Sequence, residues 1–293
     1  MIYLTSAFCK GRTIRESVER LAQLGCRNIE LTGGTSYYAE YPDDLLELKE
    51  LYSLNYLIHN YFPPPEKDFV LNFTSPDIEV RTKSLLFMEN SISFCKKIGV
   101  PLYSFHAGYT RQLKPEKKGI YFSVDEAFTQ DISRATGLFY DNMTKILGKA
   151  VEADCKLAVE NLFPISEAEN FSLMCTPPEI ETFLDYFAGD SKTGLLLDLG
   201  HLNVSSCYLK FDKSVFLKRL INKYGDRIFE VHISENNGLK DEHGISPMDS
   251  WQIGFIKENY DLFKDIPLTL EWHSANVDYD IKKYDMILQY LEG

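Results

Sequence analysis

Short apolar runs alternate with amphipathic, helix-like stretches along the whole chain, and this alternation constrains the fold more than any other feature. The runs are near-continuous in apolar residues, as expected for parallel strands that are buried on both faces. We predict eight strands, at residues 2–8, 28–34, 56–62, 101–108, 156–163, 194–201, 228–236 and 267–274. Eight strands that are each followed by a helix favour an α/β fold, a single (β/α)8 TIM barrel.

Capping residues and helical spacing predict the helices between these strands. Thr13 with Glu16, and Thr176 with Glu179, match the capping box that begins a helix. Further helices are predicted at residues 43–53, 124–153, 212–224, 250–263 and 277–291. Because the sequence has no linker-like or low-complexity segment, we predict that residues 1–293 form one domain. A doubly wound open sheet is the alternative, but no Gly-x-Gly-x-x-Gly motif follows the first strand to support its dinucleotide-binding version.

The charge of the chain disfavours nucleic acid as a partner. Its 293 residues include 31 Lys and Arg against 43 Asp and Glu, a formal net charge of -12. Such a protein repels phosphate backbones unless a local basic face compensates. No apolar run approaches the roughly 20 residues that span a bilayer, and the N-terminal sequence "MIYLTSAFCKG" does not have the pattern of a signal peptide. The six cysteines are dispersed without a Cys-x-x-Cys pair, so we expect a reduced, cytoplasmic protein without membrane contact.

All six histidines lie at or just beyond the C-terminal end of a predicted strand. They are His59, His106, His201, His232, His243 and His273. In an α/β barrel, this end of the strands builds the active site. Histidines scattered through a core or over a surface would not be sorted in this way, so we expect them to surround one site.

Three acidic residues fall near the ends of the same strands. Glu160, Asp198 and Glu271 lie late in the fifth, sixth and eighth predicted strands. Because side chains alternate between the two faces of a strand, these acids and His232 converge if their faces point into the barrel. A buried carboxylate is costly unless it is paired or bound to a cation. Three such acids with one imidazole predict a divalent metal site, and hydrogen bonding without metal is the alternative.

These residues resemble the xylose isomerase-like TIM-barrel superfamily over essentially the whole chain. The motifs that carry the resemblance are, in strand order, "IHNY", "FHAG", "VEN", "LDLGH", "HISENNGLKDEH" and "LEW". The superfamily contains sugar and sugar phosphate isomerases and epimerases, and the endonuclease IV class of apurinic endonucleases. Resemblance to the tagatose-type epimerases implies that Glu160, Asp198, His232 and Glu271 hold one catalytic metal. Glu160 and Glu271 would then be an acid/base pair that moves a proton through a cis-enediolate.

The other histidines match the endonuclease IV-type enzymes. That resemblance implies a second zinc on His59, His106 and Glu160, and a third on His201, Asp241 and His243. Imidazole-rich sites favour zinc, whereas a three-carboxylate site also suits manganese, magnesium or cobalt. The predicted cofactor is therefore a divalent metal ion, with up to three zinc ions if all nine ligands are used.

Four further residues are candidates for contacts with a substrate. Asn161 directly follows Glu160, and His273 shares a strand face with Glu271. Trp272 can form a wall of a sugar pocket, with ordinary packing as the alternative. Arg111 begins the one basic stretch, residues 111–119, whose alternative interpretation is a solvated surface loop.

We predict a metal-dependent isomerase or epimerase of a small sugar, sugar phosphate or polyol, because the chain is acidic and all four residues implied for one catalytic metal are present. The alternative is a zinc-dependent phosphodiesterase of the endonuclease IV type, which the nine ligands favour. A lyase or dehydratase remains open, as does a binding protein that has lost catalysis. The expected partner is a small-molecule carbohydrate, and the oligomeric state is left open.

Overall fold

The apolar runs form the strands of a closed barrel, and the amphipathic stretches surround it as helices. The computed structural model describes residues 1–115, 122–164 and 170–292. The strands among these residues are β1 (Ile2–Thr5), β2 (Asn28–Leu31), β3 (Asn55–His59), β4 (Leu102–His106), β5 (Arg111–Pro115), β6 (Phe122–Thr129), β7 (Lys156–Glu160), β8 (Thr193–Asp198), β9 (Ile228–Ile233) and β10 (Leu268–Leu270).

The α-helices of the described residues follow the barrel strands in the chain. They are α1 (Ile14–Gln23), α2 (Tyr41–Tyr52), α3 (Ile78–Ile98), α4 (Ile132–Ala153), α5 (Pro177–Tyr186), α6 (Leu199–Leu209), α7 (Lys213–Tyr224), α8 (Trp251–Glu258), α9 (Tyr260–Phe263) and α10 (Val277–Glu292). None of them is both long and apolar enough to cross a membrane.

Eight strands close the barrel in the order β1-β10-β9-β8-β7-β4-β3-β2, and each neighbouring pair is parallel. This topology confirms the predicted (β/α)8 TIM barrel. The register aligns Asp198 with His232, and His106 with Glu160. Parallel strands bring these polar side chains to the same end of the barrel.

The interior of the barrel is layered. A small apolar cluster inside the barrel contains Tyr3, Leu57, Leu102, Ala158 and Leu196. Four of these residues come two positions before a polar residue of the same strand. The pairs are Tyr3 with Thr5, Leu57 with His59, Ala158 with Glu160, and Leu196 with Asp198. Because side chains two residues apart share a face, the apolar layer lies directly below the polar end. The side chains of this layer are buried, and Glu230, which is in register with Leu196, is buried beside them.

Three predicted elements differ from the structure. The helix predicted at 124–153 is wrong in its first part: Phe122–Thr129 pairs with Arg111–Pro115 as an antiparallel two-stranded sheet. The helix begins only at Ile132, where the Asp131 side chain accepts a hydrogen bond from the backbone of Arg134. In the first part of this segment, pairing with the neighbouring strand prevails over local helical spacing.

The other two differences are a strand that ends earlier than predicted and a predicted helix that is divided in two. The strand predicted at 194–201 ends at Asp198, because the Asp198 side chain caps α6 by accepting a hydrogen bond from the backbone N–H of His201. The helix predicted at 250–263 is divided at Asn259 into α8 and α9. Both predicted capping boxes are confirmed, at Thr13 and at Thr176.

Candidate metal centre

Four side chains converge at the C-terminal end of adjacent strands. Glu160 ends β7, Asp198 ends β8, His232 lies near the end of β9, and Glu271 directly follows β10. One ligand atom of each lies within 4.8 Å of the corresponding atoms of the other three. The structure therefore brings together the four residues that were predicted to hold one metal ion. We call them the four-ligand set.

Histidine nitrogens approach the atoms that face one another in this set, at 3.0 Å between His201 and Oε1 of Glu160, but form no hydrogen bond with them. Both carboxylate oxygens of Glu160, Oδ2 of Asp198, Nδ1 of His232 and Oε2 of Glu271 are buried without a hydrogen bond among the described residues. Leaving a buried polar atom unpaired costs about 1–3 kcal/mol, and more when the group is charged. Three carboxylates and one imidazole form a donor set that suits a divalent cation. The residues present thus fit a metal ion.

A second set of ligands shares Glu160. Nε2 of His59 lies 3.5 Å from Oε2 of Glu160, and Nε2 of His106 lies 3.3 Å from the same oxygen. The ligand atoms of these three residues also lie within 4.8 Å of one another. Glu160 therefore stands between the two sets and can contribute an oxygen to each.

The predicted third set is more open. Oδ2 of Asp241 lies 3.4 Å from Nε2 of His201 and 2.8 Å from Nε2 of His243. Nδ1 of His243 also lies 3.4 Å from Oε2 of Glu271. Among the described residues, the groups whose ligand atoms all lie within 4.8 Å of one another do not include this triplet. Asp241 brings the two histidines together, but less tightly than in the other sets.

Three of the histidines are held through the ring nitrogen that faces away from the carboxylates of the ligand sets. The contacts are His59 Nδ1 to Ser104 Oγ at 3.1 Å, His106 Nδ1 to Tyr109 Oη at 3.1 Å, and His232 Nε2 to Glu30 Oε2 at 2.8 Å. Metal-bound histidines are typically oriented in this way, since the outer hydrogen bond fixes the ring and its tautomer. The opposite nitrogen is then free to bind a cation. His201 is different, because its Nδ1 lies 3.0 Å from both the Asn161 carbonyl and Oε1 of Glu160.

The charges of the carboxylates are coupled to these imidazoles. Burial opposes ionisation of Glu160, but His106, His201 and His59 outweigh it and lower the pKa of Glu160 to about 2. Burial likewise opposes ionisation of Glu271, whose pKa is nevertheless held well below its usual range by His243 and His232. Both glutamates are therefore ionised at neutral pH and can accept a proton.

The histidines fall into two groups by their protonation. Burial lowers the pKa of His59 to about 4, and burial also lowers the pKa of His106. Burial disfavours the charged rings of His201 and His232 as well, but Asp198 raises the pKa of His201 and Glu30 raises that of His232. In the metal-free protein a proton on each of these two rings thus compensates the buried carboxylates, which is the role that a bound cation would take over.

The residues predicted to contact substrate have different surroundings. The Asn161 side chain donates to the Asp198 carbonyl at 3.0 Å and accepts from the Asp198 backbone N–H at 2.8 Å, so it links β7 to β8. The His273 ring lies 4.6 Å from that of His243, on the exposed side. Trp272 is fully buried in the hydrophobic core, which is a packing position. The Arg111 guanidinium covers the ring of Phe171 at 3.9 Å.

The basic stretch at 111–119 lies only partly within the described residues. Lys114, exposed on β5, forms an ion pair with Asp125 at 2.7 Å. Residues 116–119 lie outside the described residues.

Sequence reasoning missed three residues that contact the ligands. Ser104 and Tyr109 hold His59 and His106, and Oε1 of the buried Glu230 lies 3.6 Å from Nε2 of His232. The alternation of side chains could have identified Glu230, because it lies two residues before His232 on the same face of β9. Glu30, on β2, is hydrogen-bonded to the same nitrogen of His232, Nε2, at 2.8 Å.

Known proteins that are similar to this chain include both sugar epimerases and endonucleases. The chain is 28% identical to the probable endonuclease 4 of Aquifex aeolicus over 76 residues, which are 25% of this chain and only 27% of that relative. A D-tagatose 3-epimerase-like protein of known structure superposes with a TM-score of 0.75 and 20% identity, over 99% of this chain and 97% of that one. A Thermus thermophilus protein that was soaked with ZnCl2 superposes with a TM-score of 0.63 and 18% identity, over 100% and 98% of the two chains.

At these identities the superpositions show a common fold, whereas the family follows from the sequence. The model that describes the xylose isomerase-like TIM barrel matches residues 18–280. This range includes all nine predicted metal ligands and confirms the resemblance that the strand-end motifs indicated. The chain belongs to the xylose isomerase-like TIM barrel family.

Proposed function

We propose that the protein is a divalent-metal-dependent isomerase or epimerase of a small sugar, sugar phosphate or polyol. The observation that carries the proposal is the four-ligand set, in which two ionised glutamates flank Asp198 and His232. Glu160 and Glu271 come from β7 and from the end of β10, so two strands separate their backbones. Two carboxylates in this arrangement can act on a substrate from different directions.

The chemistry needs a base, an acid and compensation for negative charge. One glutamate removes the proton from the carbon next to a carbonyl group, and the electron pair moves to the carbonyl oxygen to give a cis-enediolate. In an epimerase, the other glutamate takes up a proton from water at the opening of the site and delivers it to the same carbon from the opposite face, while the first glutamate releases its proton to water. In an isomerase, the proton is delivered to the neighbouring carbon instead. A divalent ion bound by the four-ligand set would stabilise the negative charge that develops on adjacent substrate oxygens.

Access to the site is consistent with a small polar substrate. The side chains of His106, His243 and Glu271 are 27%, 20% and 14% exposed, whereas those of Asp198 and His232 are fully buried. The opening is therefore lined by imidazoles and carboxylates, which can form hydrogen bonds with hydroxyl groups. The D-tagatose 3-epimerase-like neighbour supports a carbohydrate as substrate.

Exchange of substrate hydrogen with solvent tests this proposal directly. The protein, loaded with Mn²⁺ or Co²⁺, would be incubated with a panel of ketoses and ketose phosphates in D2O. We expect deuterium at the carbon next to the carbonyl group, detected by NMR, together with formation of the epimer or isomer. If metal-loaded protein neither exchanges this hydrogen nor converts any of these substrates, the proposal is wrong.

A second candidate is a zinc-dependent phosphodiesterase. The specific observation in its favour is the additional set formed by His59, His106 and Glu160, next to the four-ligand set. The similarity to a probable endonuclease 4 points in the same direction. Elemental mass spectrometry of protein purified without chelator separates the two: about one exchangeable metal per chain supports the isomerase. Close to three tightly held zinc ions, with cleavage of an abasic-site duplex, supports the phosphodiesterase.

A further inference from the structure

Two buried acidic residues lie on the inner side of His232, away from the four-ligand set. Oε2 of Glu30 accepts a hydrogen bond from Nε2 of His232 at 2.8 Å, and Oε1 of Glu230 lies 3.6 Å from the same nitrogen. Glu30 and Glu230 are both fully buried. They belong to β2 and β9, so they approach the ring from different sides of the barrel interior.

The surroundings of this pair provide little other compensation. The Thr269 hydroxyl donates to Oε1 of Glu230 at 2.9 Å. The second oxygens, Oε1 of Glu30 and Oε2 of Glu230, have no hydrogen-bond partner within the described parts of the chain. Among the described residues, both acids form ion pairs with His232, and neither forms one with a lysine or an arginine. Two buried acids at one imidazole are costly, so packing alone does not account for them.

His232 differs in this respect from the other two histidines that are held from outside the ligand sets. Ser104 and Tyr109 are uncharged partners, whereas Glu30 carries a carboxyl group. A carboxylate at Nε2 keeps the proton on that nitrogen and increases the basicity of the ring. Nδ1 lies on the side of the four-ligand set, 3.3 Å from Oε2 of Glu271. It is the nitrogen that would bind a cation in place of its proton.

We infer that Glu30 and Glu230 are positioning residues that increase the affinity of the four-ligand set for a metal ion. Glu30 orients His232 through Nε2, and Glu230 reinforces that contact from β9. The inference rests on the metal centre within the proposed function but not on the sugar chemistry. It assigns these residues to metal affinity and not to contact with substrate, since the four-ligand set separates them from the opening.

A competing explanation treats Glu30 as a ligand. Ligand atoms of Glu30, His59 and His232 also lie within 4.8 Å of one another and are all buried. A cation there would need the lone pair of His232 Nε2, which the hydrogen bond to Glu30 occupies with a proton. The two explanations therefore predict different metal counts when Glu30 is replaced.

Titration with Co²⁺ alone, against a competing chelator, tests the inference. In Glu30→Gln the amide can still accept a hydrogen bond, and in Glu30→Leu the side chain cannot. We expect Co²⁺ to bind the four-ligand set about 10–100-fold more weakly in Glu30→Leu and by an intermediate factor in Glu30→Gln. We expect Glu230→Gln to weaken it as well, and the visible absorption bands of bound Co²⁺ to shift in all three. Metal-free thermal unfolding checks that each variant folds, and Glu30→Gln keeps the test valid if Glu30→Leu does not.

Ser104→Ala is the matched control, because it removes the equivalent partner of His59 and should leave the four-ligand absorption bands unchanged. Unchanged affinity and bands in the folded Glu30 variants would overturn the inference. The loss of one whole equivalent of Co²⁺ with unchanged bands would also overturn it and identify Glu30 as a ligand. If the wild-type protein binds no Co²⁺, the metal centre itself is wrong, and this result is distinct from either of the others.

Discussion

Nδ1 of His232 and Oε2 of Glu271 lie 3.3 Å apart, and neither atom has a hydrogen-bond partner among the described residues. The two residues come from neighbouring strands, and Oδ2 of Asp198 approaches the same nitrogen at 3.7 Å. Buried polar atoms of this kind are normally satisfied. A shared cation is the simplest arrangement that satisfies all three residues together, and it gives the metal centre its testable consequences.

Metal binding should raise the thermal stability of the fold. At a free metal concentration about 100 times the dissociation constant, linkage adds about 2.7 kcal/mol to the free energy of unfolding. For a chain of 293 residues that corresponds to an increase of roughly 4–5 °C in the melting temperature. Differential scanning calorimetry with Mn²⁺ and with chelator measures it. Asp198→Asn should remove most of the increase, whereas an equal increase in that variant would show that metal binds elsewhere.

Glu160→Gln and Glu271→Gln should each lower turnover by about 10²–10⁴-fold, because each removes a group that is predicted to transfer a proton. Both residues are also predicted ligands, so the metal content of each variant has to be measured beside its activity. A variant that keeps its metal but loses exchange of substrate hydrogen with D2O has lost a proton-transfer group. Full activity in the double variant would contradict the acid/base assignment.

His106→Ala separates the two candidate functions. His106 does not belong to the four-ligand set, but its Nε2 lies 3.3 Å from Oε2 of Glu160, which does. An isomerase that uses only the four-ligand set should retain its bound Mn²⁺ and most of its activity. A phosphodiesterase that needs the second set should lose one zinc per chain and its cleavage activity. The matched comparison is Asp198→Asn, which should abolish activity in either case.

The barrel and the four-ligand set could be predicted from the sequence because both follow from local regularity. Strands buried on both faces are visible as apolar runs, and alternation shows which of their polar residues point inward. The strand β6 was missed although Phe122, Val124 and Phe128 lie an even number of positions apart, because its partner β5 begins the basic stretch that was interpreted as a loop. Alternation places Glu230 on the same face of β9 as His232, but the contact between His232 and Glu30 could not be predicted, because these residues are distant in the chain and adjacent only after the barrel closes.

The protonation of the site should make the metal-free protein less stable as the pH rises. Burial opposes the charged ring of His243, but Glu271 and Asp241 raise its pKa to about 11 from the usual 6.5. A raised histidine pKa contributes stability that is complete below the usual value and is lost as the pH rises towards the folded-state value. Burial raises the pKa of Asp198 from 3.8 to about 7. The stability that the proton of Asp198 contributes is therefore also lost as the pH rises, in this case from 3.8 to about 7.

A bound cation would replace these protons, so the metal-loaded protein should lose less stability as the pH rises from about 6.5 to about 9. Melting temperatures measured across this range, with chelator and with Mn²⁺, give the difference between the two forms. That difference should grow as the pH rises, because metal no longer competes with protons for His201, His232 and His243. In His243→Gln the metal-free curve should be flatter. A difference that shrinks as the pH rises would show that protons and metal do not compete for these residues.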